Sequence, residues 1–165
     1  QAPGVMGQAV RSAASIMVII AMALAFGHWV TESGVPAAVV DFVTANELEP
    51  WQFLLAINLL LLILGMFLEV ASIILIAVPI LLPVVTALGI DPIHFAIVIV
   101  VNMEIALLTP PVGLNLYVLS SISKVPVSEV IRGVWPFIGL FAVYLALITY
   151  IPELSLWLPN LVYGN

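Results

Sequence analysis

Apolar residues run along this chain in long blocks rather than at alternating positions, and the polar residues fall in narrow gaps between the blocks. The first block covers residues 12–30, long enough at about 1.5 Å per helical residue to cross a hydrocarbon layer of roughly 30 Å. His28 and Trp29 close it at an expected interface position. Residues 1–11, from Gln1 to Arg11, read as a polar lead-in. Residues 31–50 hold Glu32, Gly34, Pro36, Asp41, Asn46, Glu47, Glu49 and Pro50, while Val35, Val39, Val40 and Val43 recur at helical spacing. That pattern predicts a short helix lying in the membrane interface.

Residues 51–89 are the stretch around which the rest is organised. As a single helix they would measure roughly 60 Å, twice the hydrocarbon thickness, so the segment must fold back on itself. The only candidate turn is the apolar run Leu64, Gly65, Met66, Phe67 and Leu68, followed by the single charge Glu69. A turn so apolar predicts a re-entrant helical hairpin with its tip inside the membrane. Irregular backbone at that depth is tolerated only where protein buries it or where it lines a cavity. The first arm, residues 51–64, has the length of a re-entrant helix. The second contains Pro79 and Pro83, expected to kink or loosen it, and ends at Gly89 and Asp91-Pro92.

Residues 90–123 predict a broken transmembrane helix. Thr109-Pro110-Pro111-Val112-Gly113 removes two amide donors and then permits unusual backbone angles at Gly113. The carbonyls of Ile105 through Leu108 are expected to lose their usual partners there, and such oxygens suit a bare cation. Lys124 and residues 126–132 form a polar connection, and residues 134–157 make the last span. The chain thus divides into residues 1–50, 51–89, 90–123 and 124–165.

Composition agrees with an all-α integral membrane protein: 64% of residues are hydrophobic, 7% are charged, and the mean hydropathy is +1.32. Only Arg11, Lys124 and Arg132 are cationic, too few for a nucleic-acid partner. All three fall on one side of the expected topology, which the positive-inside rule assigns to the cytoplasm, with Glu32, Glu47, Glu49 and Asp91 opposite. There is no cysteine, no phosphate-cradling glycine loop and no Ser, His and Asp set with a plausible common site, so no enzyme is expected.

Several motifs together carry a family resemblance. Asn58 followed by Leu-Leu-Leu-Leu-Ile-Leu-Gly-Met-Phe-Leu-Glu69, then Pro79-Ile-Leu-Leu-Pro83, residues 88–95 from Leu88 to Phe95, and Thr109-Pro-Pro-Val-Gly113 resemble the large membrane subunit of tripartite ATP-independent periplasmic (TRAP) transporters. The similarity covers nearly the whole chain and corresponds to the C-terminal half of that subunit. It implies one half of an inverted-repeat, elevator-type secondary transporter in the bacterial inner membrane. Such a transporter imports organic acid anions, of C4-dicarboxylate or sialic acid type, with Na+. Its implied partners are the N-terminal half of the large subunit, a small four-helix membrane subunit and a periplasmic substrate-binding protein, all in or at the lipid bilayer.

Carried over residue by residue, the resemblance implies Na+ ligation by Gly65 at the hairpin tip, by Thr109 through hydroxyl and carbonyl oxygens, and by the backbone oxygens of Ala106 and Val112. Family members often have glycine where Ala106 stands, and its methyl narrows the approach. Met66, Glu69, Glu104, Pro110, Gly113 and Asn115 are substrate or coupling candidates. Each has a plainer reading beside it. Glu69 opens the second arm, where a carboxylate caps a helix; Glu104 is a partnered carboxyl or a functional charge; Gly65 is a turn glycine; Thr109 to Gly113 is a packing kink. Asn58 and Asn102 read as interhelical hydrogen-bonding groups and His94 as interfacial. A related carrier that needs no binding protein, and a non-transporting membrane scaffold, remain as alternatives.

Overall fold

The computed structural model describes the backbone of residues 2–164 and the side chains of residues 6–11 and 13–164. Eight helices follow in order: α1 (Ala2–Glu32), α2 (Val35–Ala45), α3 (Pro50–Gly65), α4 (Val70–Ala87), α5 (Pro92–Leu108), α6 (Leu114–Ser123), α7 (Val127–Tyr150) and α8 (Glu153–Tyr163). No strand occurs among the described residues. Local chemistry sets the boundaries. Proline opens α3 and α5 at a position where a missing N–H costs nothing. Asp91 caps α5, its Oδ1 accepting from the amides of Ile93 at 2.7 Å and His94 at 3.2 Å.

Among the described residues three helices are long and apolar enough to cross a bilayer: α1 from Met6 to Glu32, α4 and α7. The molecule is an all-helical, multi-pass membrane protein. Its core is made by α2, α3, α4 and α5, where Val43, Phe53, Leu61, Ile73, Val84, Val85, Phe95 and Met103 are buried together. Most of the remaining large apolar side chains face outward, as expected where lipid rather than water surrounds the protein.

Two clusters fix the topology. At one end, the base, Pro50, Leu88, Asp91, Thr149 and Pro152 surround a common cavity, so the starts of α3, α5 and α8 meet the ends of α4 and α7. At the other end, Gly65, Glu69, Leu107 and Leu114 share a second cavity, which gathers the end of α3, the start of α4, the end of α5 and the start of α6. Helices α3 and α5 therefore run parallel, and α4 and α7 run back. Helix α3 packs mainly on α5, while α4 packs mainly on α1 and α2. The two arms splay from their four-residue turn instead of pairing along their length.

Four expectations change. The lead-in is not separate, because α1 is helical from Ala2; Gln1 lies outside the described residues. Pro79 and Pro83 do not interrupt α4. The Pro79 ring lies against α1 at Gly27, where a Cβ would sit 3.2 Å from Pro79 Cγ, so a glycine on the neighbour accommodates the bump. The last span begins at Val127 and ends at Tyr150. Pro152 has no N–H to continue the ladder, and residues 153–163 form the separate helix α8. His94, expected to stand open at the membrane interface, is buried inside the protein, because the start of α8 folds over it.

Candidate binding site between a helical turn and a helix break

The end of α5 is shaped by two missing donors. In an uninterrupted helix the carbonyls of Ala106 and Leu107 would accept from residues 110 and 111, but both are proline. Ala106 O accepts instead from Thr109 N at 3.1 Å, and Ile105 O accepts from Thr109 Oγ1 at 2.7 Å. Of the four carbonyls expected to lose their usual partners, Ile105 and Ala106 thus find substitute donors. Leu107 O and Leu108 O receive no backbone N–H among the described residues. The Thr109 hydroxyl gives its proton to Ile105 and keeps oxygen lone pairs available.

Gly113 restarts the chain as the N-cap of α6 with φ 45°, in the left-handed region. A Cβ there would lie 2.7 Å from Leu116 Cδ1 and 3.0 Å from Thr109 O, so glycine is required both by the angle and by the space. Gly65 is different. It is the last residue of α3 with ordinary helical angles, so its plain reading as a turn glycine does not hold. Its missing Cβ is used for approach: an added one would sit 2.5 Å from Ala106 Cβ and 3.4 Å from Met103 Cε. The turn after α3 is thereby pressed onto the last turn of α5.

The cavity that results has a volume of about 380 Å³ and is lined by Gly65, Met66, Phe67, Leu68, Glu69, Val70, Leu107, Val112, Leu114 and Asn115. Of the residues singled out in the sequence, Gly65, Met66, Glu69, Val112 and Asn115 line it. Ala106 is fully buried behind Gly65, and Thr109, Pro110 and Gly113 form the loop beside it. Glu104 stands apart, exposed on the flank of α5. Phe67, Leu68 and Leu107, marked in the sequence as turn residues and as a freed carbonyl, also line the cavity, and Val70 and Leu114 join them without side-chain chemistry by which a sequence could mark them.

Helix ends give this cavity its electrostatics. The C-terminal, carbonyl-bearing ends of α3 and α5 and the N-terminal ends of α4 and α6 converge on it. The amides opening α4 are already engaged: Glu69 Oε1 accepts from Ala71 N at 3.0 Å, and Oε2 accepts from Ser72 N at 2.9 Å and Ser72 Oγ at 3.1 Å. Glu69 is a helix cap. The N-terminus of α6 has no side-chain cap, and Leu114 and Asn115 there border the cavity. Neutral oxygens thus gather on one side and open amides on the other. Among the described residues no group of three His, Cys, Asp or Glu side chains assembles anywhere; the oxygens bordering this cavity are backbone carbonyls, the Asn115 amide and the carboxylate of Glu69.

A second polar group lies at and above the base. His94, 1% exposed, places Nδ1 2.7 Å from Ser155 Oγ and Nε2 3.3 Å from Thr149 O. Asn102 donates to Asn58, and Asn58 donates to Thr149 Oγ1. Asn58 and Asn102 are interhelical hydrogen-bonding groups.

The chain matches the family model described as tripartite ATP-independent periplasmic transporter, DctM component, over residues 1–154. It is 46% identical over 160 residues to the C4-dicarboxylate TRAP transporter large permease protein DctM of Pseudomonas aeruginosa, covering 97% of this chain and 38% of that protein. It is 36% identical to the sialic acid TRAP transporter large permease protein SiaM of Vibrio cholerae, again over 97% of this chain and 38% of the relative. To the isethionate TRAP transporter permease protein DctMQ of Oleidesulfovibrio alaskensis it is 37% identical over 150 residues, 91% of this chain and 24% of that protein. The chain spans well under half the length of these relatives. A match through nearly every helix, including the turn and the break that form the cavity, means that the chain belongs to the DctM family of TRAP transporter large permeases.

Proposed function

We propose that this chain is the part of a Na+-coupled secondary importer that binds the coupling ion and one end of an organic acid anion. The observation that carries the reading is the cavity in which the turn after α3 meets the broken end of α5, with two backbone carbonyls there lacking N–H partners. Na+ is held by the oxygens of Leu107, Leu108, Thr109 and Val112 at the break, with Gly65 and Ala106 at its edge. It supplies the positive charge that fixes the turn against the break. The anion's carboxylate or sulfonate lies at the uncapped start of α6, near Asn115. The relatives' names speak of C4-dicarboxylate, sialic acid and isethionate, all organic anions, and this chain takes a ligand of that class.

The α3–α4 pair is a re-entrant hairpin in this reading. Helix α3, with 16 residues, rises roughly 24 Å, whereas α7, with 24 residues, rises roughly 36 Å alongside α5 and α6. Both ends of the hairpin are at the base, so its tip stops about two-thirds of the way up. The protein sits in the bacterial inner membrane and moves its cavity by an elevator-type displacement. It works with the remainder of the large permease, a small membrane subunit and a periplasmic binding protein.

Uptake of a radiolabelled dicarboxylate into proteoliposomes containing the full-length permease and its partners tests this. An imposed Na+ gradient should drive accumulation, and omission of the binding protein should stop it. Uptake that follows a pH gradient and ignores Na+ overturns the ion assignment; uptake unchanged without the binding protein favours a carrier that works alone.

A further inference from the structure

Asn102 is completely buried, and Nδ2 spends its hydrogen bonds on one residue, donating to Asn58 O and to Asn58 Oδ1 at 2.9 Å each. Asn58 Nδ2 donates onward to Thr149 Oγ1 at 3.0 Å, and that hydroxyl donates to Leu145 O at 2.6 Å. One polar chain therefore ties α5 to α3 and α3 to the end of α7. Immediately above it, α3 reads Leu59, Leu60, Leu61, Leu62, Ile63 and Leu64. Side chains so alike in size and shape give this run little power of its own to fix its level on α5, which leaves that to the close approach of Gly65 to Ala106 and to the buried amides. A pair of buried amides does not slip, because each step strips donors of their acceptors.

The level of this pair relates it to the site. Gly65 follows Asn58 by seven residues, and Thr109 follows Asn102 by seven. Seven residues are two helical turns in each case, and the helices run parallel. The amide pair thus lies two turns below both the turn and the break. Gly65 meets Ala106 with no slack, so a slip of one residue brings the tip against a different side chain and moves it relative to Leu107 O and Leu108 O. Asn102 Oδ1 finds no donor of its own. A buried amide with one atom left without a partner is a costly way to fill space, and its directional bonds to Asn58 point to a role in specifying position.

We propose that Asn58 and Asn102 are positioning residues: their clasp sets the axial register of α3 on α5 and through it the affinity of the tip and break for the coupling cation. This rests on the cation reading given above.

The test uses the full-length permease with its partners, any native cysteine outside this region replaced. Spin labels are placed at Ile63→Cys and Val100→Cys, which are exposed on α3 and α5. Pulsed EPR without Na+ should give a narrow distance distribution in the parent and a broadened or shifted one in Asn102→Leu. In unlabelled protein, Asn102→Leu should raise the Na+ concentration for half-maximal uptake about 3- to 30-fold while uptake at saturating Na+ is retained. The double variant Asn58→Leu/Asn102→Leu should shift half-saturation by less than the two single variants combined, since both break the same clasp. If Asn102→Leu does not fold, Asn58→Ala keeps the backbone acceptor and should give a smaller change in the same direction. Unchanged distances with a half-saturation within about twofold of the parent overturn the clasp. If the parent ignores Na+, the cation reading fails, whereas the distance comparison still decides the register claim.

Discussion

The two ends of the α3–α5 pair are built from similar materials and used in opposite ways. At the base, Asp91 caps α5, His94 reaches Ser155 and the Thr149 carbonyl, and each polar group is matched by another on the same chain. At the turn and break, two prolines withhold donors from the α5 carbonyls, Gly113 leaves α6 uncapped, and a cavity separates the carbonyl ends from the amide ends. Polar groups paired among themselves hold helices together; polar groups left facing a cavity can receive a ligand. The distinction lies in the pairing, since residue type alone would rank His94 above Leu107 as a functional candidate.

Substitutions should separate the two ends. The largest effect is expected from Gly65→Val, whose Cβ overlaps Ala106: uptake should fall about tenfold or more in the proteoliposome assay, with about 1 to 3 kcal/mol lost in thermal stability. Gly113→Ala should follow, because the left-handed angle and the contact with Leu116 together cost about 1 to 2 kcal/mol; unfolding in detergent and transport rate both report it. Thr109→Val removes an oxygen but keeps the shape, and should raise half-saturating Na+ about tenfold, with Thr109→Ser recovering most of the loss. At the base the pattern reverses. His94→Leu should cost about 1 to 3 kcal/mol of stability through its lost partners while leaving the Na+ dependence of uptake in place, and a shifted Na+ dependence would erase the contrast. Smallest is Glu69→Gln, which keeps one of the two acceptor oxygens for the α4 amides: a stability change of about 0.5 to 1 kcal/mol and uptake within about twofold are expected. A severe transport loss there would make Glu69 an ion ligand.

Much of the helix pattern could be read from the sequence because membrane spans and their breakers are local signals. Residues 51–89 have to turn, and the turn expected at Leu64 to Leu68 falls slightly later, at Met66 to Glu69, because Leu64 and Gly65 complete α3. The double proline announced the end of α5. What escaped depends on contacts between distant residues. Nothing around Gly65 separates a turn glycine from one needed for close approach, because the difference is the position of Ala106, 41 residues away. That His94 is buried cannot be read from its place beside Asp91-Pro92, because the cover comes from α8 and Ser155, 61 residues on. Pro152 was absorbed into an apolar block that looked continuous, whereas Pro79 and Pro83 looked disruptive and are not, the first because Gly27 makes room on α1. Asn58 and Asn102 were legible as donors and acceptors, but that each is the other's partner was not.

Helix α7 packs against both α5 and α6. It therefore splints the fracture at residues 109–113, much as a bar bridges a notch in a beam. Bending at the double proline would have to drag this 24-residue strut with it, so the notch behaves as a fixed aperture rather than a hinge. The compliant part of the assembly is then the splayed arm pair, whose members lean on different neighbours and share only their four-residue bend.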